Sequence, residues 1–156
     1  MEIHKLRYED WPILKRLILD SLADSPDAFS DTLNGALSYP DAEWRGLARK
    51  YSCTQGEVAY GLIDNQGPCG ILIGGVANLG HMWASPRVRR NGNGKKLLDT
   101  FLTWARKRHS SVVHLYVTEQ TSAVNFYESM GFKSTGDRMK LRTGSEKMMI
   151  EMELKL

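Results

Sequence analysis

The feature that most constrains this chain is the run from Leu79 to Val117, where a strand pattern, a glycine-rich turn, an amphipathic helix and a second strand pattern follow in direct succession. Leu79 to Ala84 is closed by Ser85 and Pro86, and proline lacks the N–H that a central ladder would need in order to continue. Leu97, Leu98, Phe101, Leu102 and Ala105 recur at helical spacing and predict a helix over Lys95 to Arg108, whose last-turn cations suit the negative end of its dipole. Val112 to Val117 is a nearly continuous β-branched and aromatic run, as expected of a strand covered on both faces. A strand, helix, strand unit of this kind sets two strands side by side in parallel, which commits the chain to an α/β architecture.

The remaining patterns fit around that unit. Ile3 to Tyr8 alternates as a short strand, and Asp10, Pro12 and the stripe Leu14, Leu17, Ile18 and Leu22 signal the first helix. Two proline-started helical patterns occupy Ser25 to Lys50. Glu57 to Asp64 and Cys69 to Val76 form a hairpin about Asp64, Asn65, Gln66, Gly67 and Pro68. Ala123, Phe126, Tyr127 and Met130 mark a short helix ending at Gly131, and strands over Phe132 to Leu141 and Lys147 to Leu156 finish the chain. The expected fold is one α/β domain over residues 1–156, with a mixed central sheet of about seven strands, parallel in the middle, flanked by helices.

Composition narrows the function classes. A chain of 156 residues can bury a core without staples, and its two cysteines, Cys53 and Cys69, and four scattered histidines match no metal-ligand spacing, so no metal is expected. No apolar run approaches the roughly 18 residues of a bilayer span and the N-terminus lacks a signal-peptide core, so no membrane association and a cytoplasmic location are expected. The net charge of +3 is too small to imply nucleic acid, yet Arg87, Arg89, Arg90, Lys95 and Lys96 fall within ten residues. That run lacks the interleaved aromatics of a stacking surface and fits a local anion site better than DNA or RNA.

The anion site has a physical basis in the sequence Arg89, Arg90, Asn91, Gly92, Asn93, Gly94. Glycines let the backbone approach a ligand closely, and the first-turn N–H groups of the following helix have no helical partner and sit at its positive end. The third glycine of a dinucleotide fingerprint is absent at Leu97, and Lys95 is not followed by Ser or Thr, so neither a Rossmann nor a Walker loop is present.

The segment resembles the (Gln/Arg)-x-x-Gly-x-(Gly/Ala) motif of the GNAT superfamily of N-acetyltransferases, through Arg89, Gly92 and Gly94, with Pro86 three residues ahead. A second likeness is Ala123 to Phe132, similar to the family's Ala-x-x-φ-Tyr-x-x-x-Gly-Phe, φ being apolar. The resemblance implies acetyl-CoA as acyl donor, with the backbone of Met82, Trp83 and Ala84 along the pantetheine arm. It also implies the loop Arg89, Arg90, Asn91, Gly92, Asn93, Gly94 and Lys95 at the pyrophosphate, Gln120 and Asn125 as further coenzyme contacts, and Tyr127 beside the thioester sulfur as the catalytic acid.

Three positions depart from the family pattern. Arg90 stands where glycine is common, Gln120 replaces an asparagine, and no glutamate lies on the fourth strand. His81 is the titratable side chain there; it suits a proton acceptor and equally a satisfied, partly buried histidine, and no base is assigned. Asp27, Asp31, Glu43 and Glu119 suit drawing a cationic amine but in sequence look the same as solvated helix and loop charges, and none is assigned to the site. The implied function is transfer of an acetyl group to a primary amine of a small molecule or protein by direct attack. The alternative is a non-catalytic acyl-CoA-binding sensor of the same fold. Oligomeric state stays open, a homodimer included.

Overall fold

A computed structural model describes residues Met1–Leu156 throughout. The strands are β1 (Glu2–Lys5), β2 (Glu57–Asp64), β3 (Gly67–Gly75), β4 (Leu79–Ala84), β5 (Val112–Thr118), β6 (Lys133–Lys140) and β7 (Met148–Lys155). The helices are α1 (Trp11–Asp24), α2 (Leu33–Leu37), α3 (Asp41–Cys53), α4 (Asn93–Lys107) and α5 (Ser122–Ser129). The α/β class and the seven strands are as the sequence leads one to expect.

The strands divide into two sheets, with order β1-β2-β3-β4 and β5-β7-β6, and every pairing within them is antiparallel. The parallel middle expected from the sequence is reduced to one bridge between Asn78 and His114, where His114 N donates to Ala77 O at 2.9 Å. The cause lies in β4. Gly74 pairs with Leu79 but Ile73 with His81, so Gly80 is an extra residue that bulges the strand and bends it. Beyond the bridge β4 and β5 part, and the outer edge of β4 from His81 to Ala84 has no strand beside it.

Two smaller expectations also shift. The first strand stops at Lys5, because Arg7 N donates to Asp10 Oδ2 at 2.8 Å and turns the chain into α1. Between Ser25 and Leu37 the single helical pattern breaks into a 3-10 turn, Pro26–Ala28, and α2. Phe29 between them is extended, and Thr32 restarts the helix by accepting a hydrogen bond from Gly35 N at 3.1 Å.

Alternation along the central strands builds a core on each face of the first sheet. Leu72 packs with Leu97, Leu98, Phe101 and Tyr127 under α4 and α5, while Ile71, Ile73 and Trp83 pack with Leu14, Leu17 and Trp44 under α1 and α3. The α4 face is so close at Gly74 that a Cβ there would lie 2.5 Å from Phe101 Cε2 and 2.8 Å from Asn78 O. The same alternation puts neighbours His81 and Met82 on opposite faces of β4, one toward each helical layer.

Candidate active site

The turn between β4 and α4 is held open by its backbone. Gly92 is the N-cap residue of α4 with φ +75°, a left-handed conformation that L side chains rarely adopt, and Arg90 takes φ 65° despite its side chain. Asn93 is buried and its Nδ2 donates to Val88 O at 2.9 Å, so its amide side chain props the turn from inside. The first helical bond of α4 runs from Lys96 N to Gly92 O at 3.0 Å. The six consecutive backbone N–H groups of Arg90, Asn91, Gly92, Asn93, Gly94 and Lys95 therefore make no hydrogen bond within the protein. Six free donors at a positive helix end form a cradle for a multiply charged anion.

The basic cluster is less exposed to ligand than its sequence implies. Arg87 forms a fork with Asp64, with Nη2 to Oδ1 at 3.1 Å, and Lys95 pairs with Asp99 at 2.8 Å. Arg89 turns away from the cradle: its Nε donates to Ala84 O at 2.8 Å and its Nη2 to Asp24. Arg90 and Lys96 are the cations of the turn left without an ion-pair partner. The free donors of the turn are thus mostly backbone N–H groups, and Arg89 ties the turn to the rest of the fold.

That tie centres on Asp24, which also accepts from Trp83 Nε1 at 2.9 Å and from Ser25 Oγ at 2.7 Å. Burial alone would raise its carboxyl, but the hydrogen bonds from Ser25, Trp83 and Arg89 outweigh burial and hold it below the usual carboxylate range. Trp83 is thus buried with its indole committed, and Ala84 has one carbonyl bond already made, so both can offer only remaining backbone groups to a ligand.

Helix α5 closes over the cradle. A Cβ at Gly94 would lie 3.6 Å from Phe126 and 3.7 Å from Met82 Cε, so the start of α4, strand β4 and α5 converge at one point. Tyr127 is buried there, with Phe126 and Phe132 at centroid distances of 5.2 and 5.6 Å, and its hydroxyl donates to Met82 Sδ at 3.6 Å. Burial pushes the phenol's pKa well up, so it is a proton donor that stays protonated at neutral pH. Asn125 is exposed on α5, and Gln120 is exposed in the turn before it with φ 60°.

On the opposite face of β4, His81 stacks on Phe29 with ring centroids 3.9 Å apart and planes within 3°. Ser21 Oγ donates to Ile18 O at 2.7 Å, so at 2.8 Å it accepts from His81 Nε2, and this tautomer leaves Nδ1 a free acceptor. Burial pushes the imidazole down to about 4, so it is neutral at physiological pH. His81 forms part of the wall of a cavity of about 590 Å³, bounded also by α1, α2, α3 and β3. Asp31 and Glu43 line that cavity; Asp27 instead pairs with Lys147 and Glu119 with Arg138.

The segment carrying Phe29 is pinned from a distance. Arg142, in the turn after β6, donates through Nη2 to Pro26 O and Phe29 O, each at 2.6 Å, and through Nε to Ser30 O at 3.2 Å. Thr118 Oγ1 donates to Asp27 O at 2.6 Å. Sequence reasoning missed Asp24, Ser21 and Arg142. Asp24 had left a signal, since an acid at the last residue of a helix faces the negative end of its dipole and needs donors from elsewhere.

The family model described as Acetyltransferase (GNAT) domain matches residues 53–156. The chain belongs to the GNAT family of acetyltransferases. This GNAT domain is similar in fold to the ribosomal-protein-alanine N-acetyltransferase of Brucella melitensis, with TM-score 0.81, 17% identity and all of both chains covered. It is also similar to a GNAT-family acetyltransferase of Streptococcus pneumoniae, with TM-score 0.79, 18% identity and 99% of each chain covered. A third similar structure is yncA of Salmonella typhimurium, solved with its cofactor acetyl-CoA, with TM-score 0.78, 18% identity, and 100% of this chain and 94% of that one covered. No curated protein matches the sequence. No helix of this GNAT domain is long and apolar enough to cross a membrane, and no group of three or more His, Cys, Asp or Glu is placed to hold a metal.

Proposed function

We propose that this GNAT domain transfers the acetyl group of acetyl-CoA to a primary amine by direct attack, with Tyr127 as the proton donor to sulfur. The observation that carries this reading is the convergence of three elements: the six free amides of residues 90–95, the unpaired edge of β4, and the Tyr127 hydroxyl beside Met82. The amides match a pyrophosphate in charge and donor demand. The open edge of β4 offers its backbone to an extended amide-bearing arm, as an added strand would be received.

A thioester supplies an electrophilic carbonyl and a thiolate leaving group. The amine nitrogen forms the new C–N bond, the C–S bond breaks, and the phenol of Tyr127 gives its proton to the departing sulfur. Its buried setting keeps that proton in place until charge develops on sulfur. The nitrogen sheds its extra proton on the other face of β4, where His81 Nδ1 accepts a hydrogen bond from it and water carries the proton away, and the Tyr127 phenolate, strongly basic when buried, takes a proton back from solvent before the next turnover. With a pKa near 4, His81 orients the neutral amine and does not retain the proton. Neither cysteine supports an acyl-enzyme, for Cys69 is buried against Leu62 O and Cys53 lies at the end of α3.

The experiment is continuous detection of free thiol from acetyl-CoA over a panel of small amines and peptide N-termini. Amine-dependent thiol release with acetylated product by mass spectrometry is expected. A folded protein that binds acetyl-CoA but releases no thiol with any amine would instead be a sensor.

A further inference from the structure

The charged residues that line the cavity beside His81 are all acidic. The fourteen lining residues include Asp31 and Glu43 and no lysine or arginine, although the chain as a whole carries a net charge of +3. Neither carboxylate takes part in an ion pair or side-chain hydrogen bond, whereas their sequence neighbours do: Asp27 meets Lys147 at 3.6 Å, and Asp41 meets Lys15 at 3.2 Å. The two carboxylates are exposed, at the rim. Deeper in, the wall includes buried Trp44 and half-buried Tyr51, with neutral His81 at the β4 end, while Tyr39 lines the cavity as an exposed residue.

Trp44, on that wall, carries an unmet donor. Its side chain is 1% exposed, yet its indole Nε1 is buried without a hydrogen-bond partner. A donor in that state is costly unless a ligand or an ordered water accepts from it. The charge of Asp31 is also felt across the cavity at Tyr51, whose phenol is pushed up by burial first and then by Glu57 and Asp31.

We infer that the acceptor of this enzyme is a compact organic dication, which presents one primary amine to His81 and holds a second cationic group at the rim between Asp31 and Glu43. The inference rests on the acetyl-transfer reading and names its substrate class. A reacting nitrogen must be neutral to attack, so at the moment of reaction it cannot satisfy carboxylates. A monoamine seated at His81 leaves Asp31 and Glu43 unanswered, whereas a second ammonium or guanidinium stays charged throughout and pairs with them. The aromatic wall between the two poles suits the methylene spacer and stabilises a passing cation over its ring faces. The volume of about 590 Å³ lies within the usual range for a small-molecule site.

The test compares n-hexylamine with 1,6-diaminohexane at saturating acetyl-CoA, in the native protein and in Asp31→Asn, Glu43→Gln and the double variant. Both substitutions are isosteric and exposed, and thermal melting checks that each variant folds and still gains stability from acetyl-CoA. The expected result is a kcat/KM at least tenfold higher for the diamine, weakened by salt. In the double variant the preference should collapse to within about twofold through a rise in KM for the diamine. Equal use of the two amines, or a preference that survives the double substitution, overturns the inference. So does efficient acetylation of a peptide N-terminus with neither small amine used, an outcome that leaves acetyl transfer standing. Absence of thiol release with every amine, in a protein that acetyl-CoA still stabilises, overturns the transfer reading itself and the acceptor class with it.

Discussion

Replacing Tyr127 by phenylalanine separates catalysis from packing, because the structure gives the ring and the hydroxyl different tasks. The ring is held by Phe126 and Phe132, contacts that phenylalanine keeps. The hydroxyl has one partner, the thioether of Met82 at 3.6 Å, a weak acceptor. Removing it loses little hydrogen bonding and relieves the burial of a poorly satisfied polar group, so stability should change by no more than about 1 kcal/mol in either direction. At this chain length that is a shift of roughly 2–4 °C in Tm. Turnover should respond very differently. General-acid assistance typically contributes roughly 10²- to 10⁴-fold, equivalent to about 2.7–5.4 kcal/mol of transition-state stabilisation. The loss should fall on kcat, with KM for acetyl-CoA little changed, since the proton is needed only as charge develops on sulfur. Steady-state thiol release at saturating amine, paired with thermal melting, reads both quantities. A Tyr127→Phe protein with kcat within a few-fold of the native value would refute the acid role and leave Tyr127 as a core aromatic.

Gly92→Val should weaken acetyl-CoA binding at least tenfold by calorimetry, because φ +75° is strained for a β-branched residue even though open space surrounds the position. Gly136→Val, at φ +92° and equally open in β6, carries similar strain and should leave that affinity unchanged. Gly74→Ala should cost about 1–3 kcal/mol through overpacking, seen in chemical denaturation, since its Cβ would press on Phe101 Cε2 at 2.5 Å and on Asn78 O. Arg142→Lys keeps the charge but loses the fork across Pro26, Phe29 and Ser30, so KM for the amine should rise while acetyl-CoA affinity holds; an unchanged amine KM would show that the Phe29 segment stands without it. His81 has a folded pKa of about 4 against 6.5 ordinarily, so its neutral form favours the folded state: that stability is complete above pH 6.5 and is lost as pH falls toward 4. The loss should amount to roughly 2–3 kcal/mol in denaturation series, and His81→Phe should flatten it.

What the sequence disclosed was local, and what it concealed joins residues far apart in the chain. Gly92 and Gly94 stood out because a helix start and a close backbone approach leave a short pattern, whereas Tyr127 stood out only through the likeness of Ala123 to Phe132 to the family motif, its apolar stripe alone reading as core. The splitting of the sheet was not, since it depends on the Gly80 bulge against β3 and on a single bridge from Asn78 to His114. Charge near the loop was read correctly in sign but not in direction: Arg87 and Arg89 reach back to Asp64 and Asp24, 23 and 65 residues away in the chain. Asp31 and Glu43 looked the same as solvated charges until the fold placed both on one cavity. Arg142 reaches carbonyls more than a hundred residues earlier, a contact no periodicity encodes.

The most direct test of the account is the amide spectrum of the protein titrated with acetyl-CoA, read residue by residue by nuclear magnetic resonance. The six N–H groups of Arg90 to Lys95 lack acceptors in the protein, so a pyrophosphate in the cradle should move their proton resonances downfield together and slow their exchange with solvent. Tyr127 and the β4 amides should shift in the same titration. Largest changes elsewhere, for example at Tyr60, Thr103 and Trp104 around the cavity on the outer side of α4, with residues 90–95 unmoved, would contradict it.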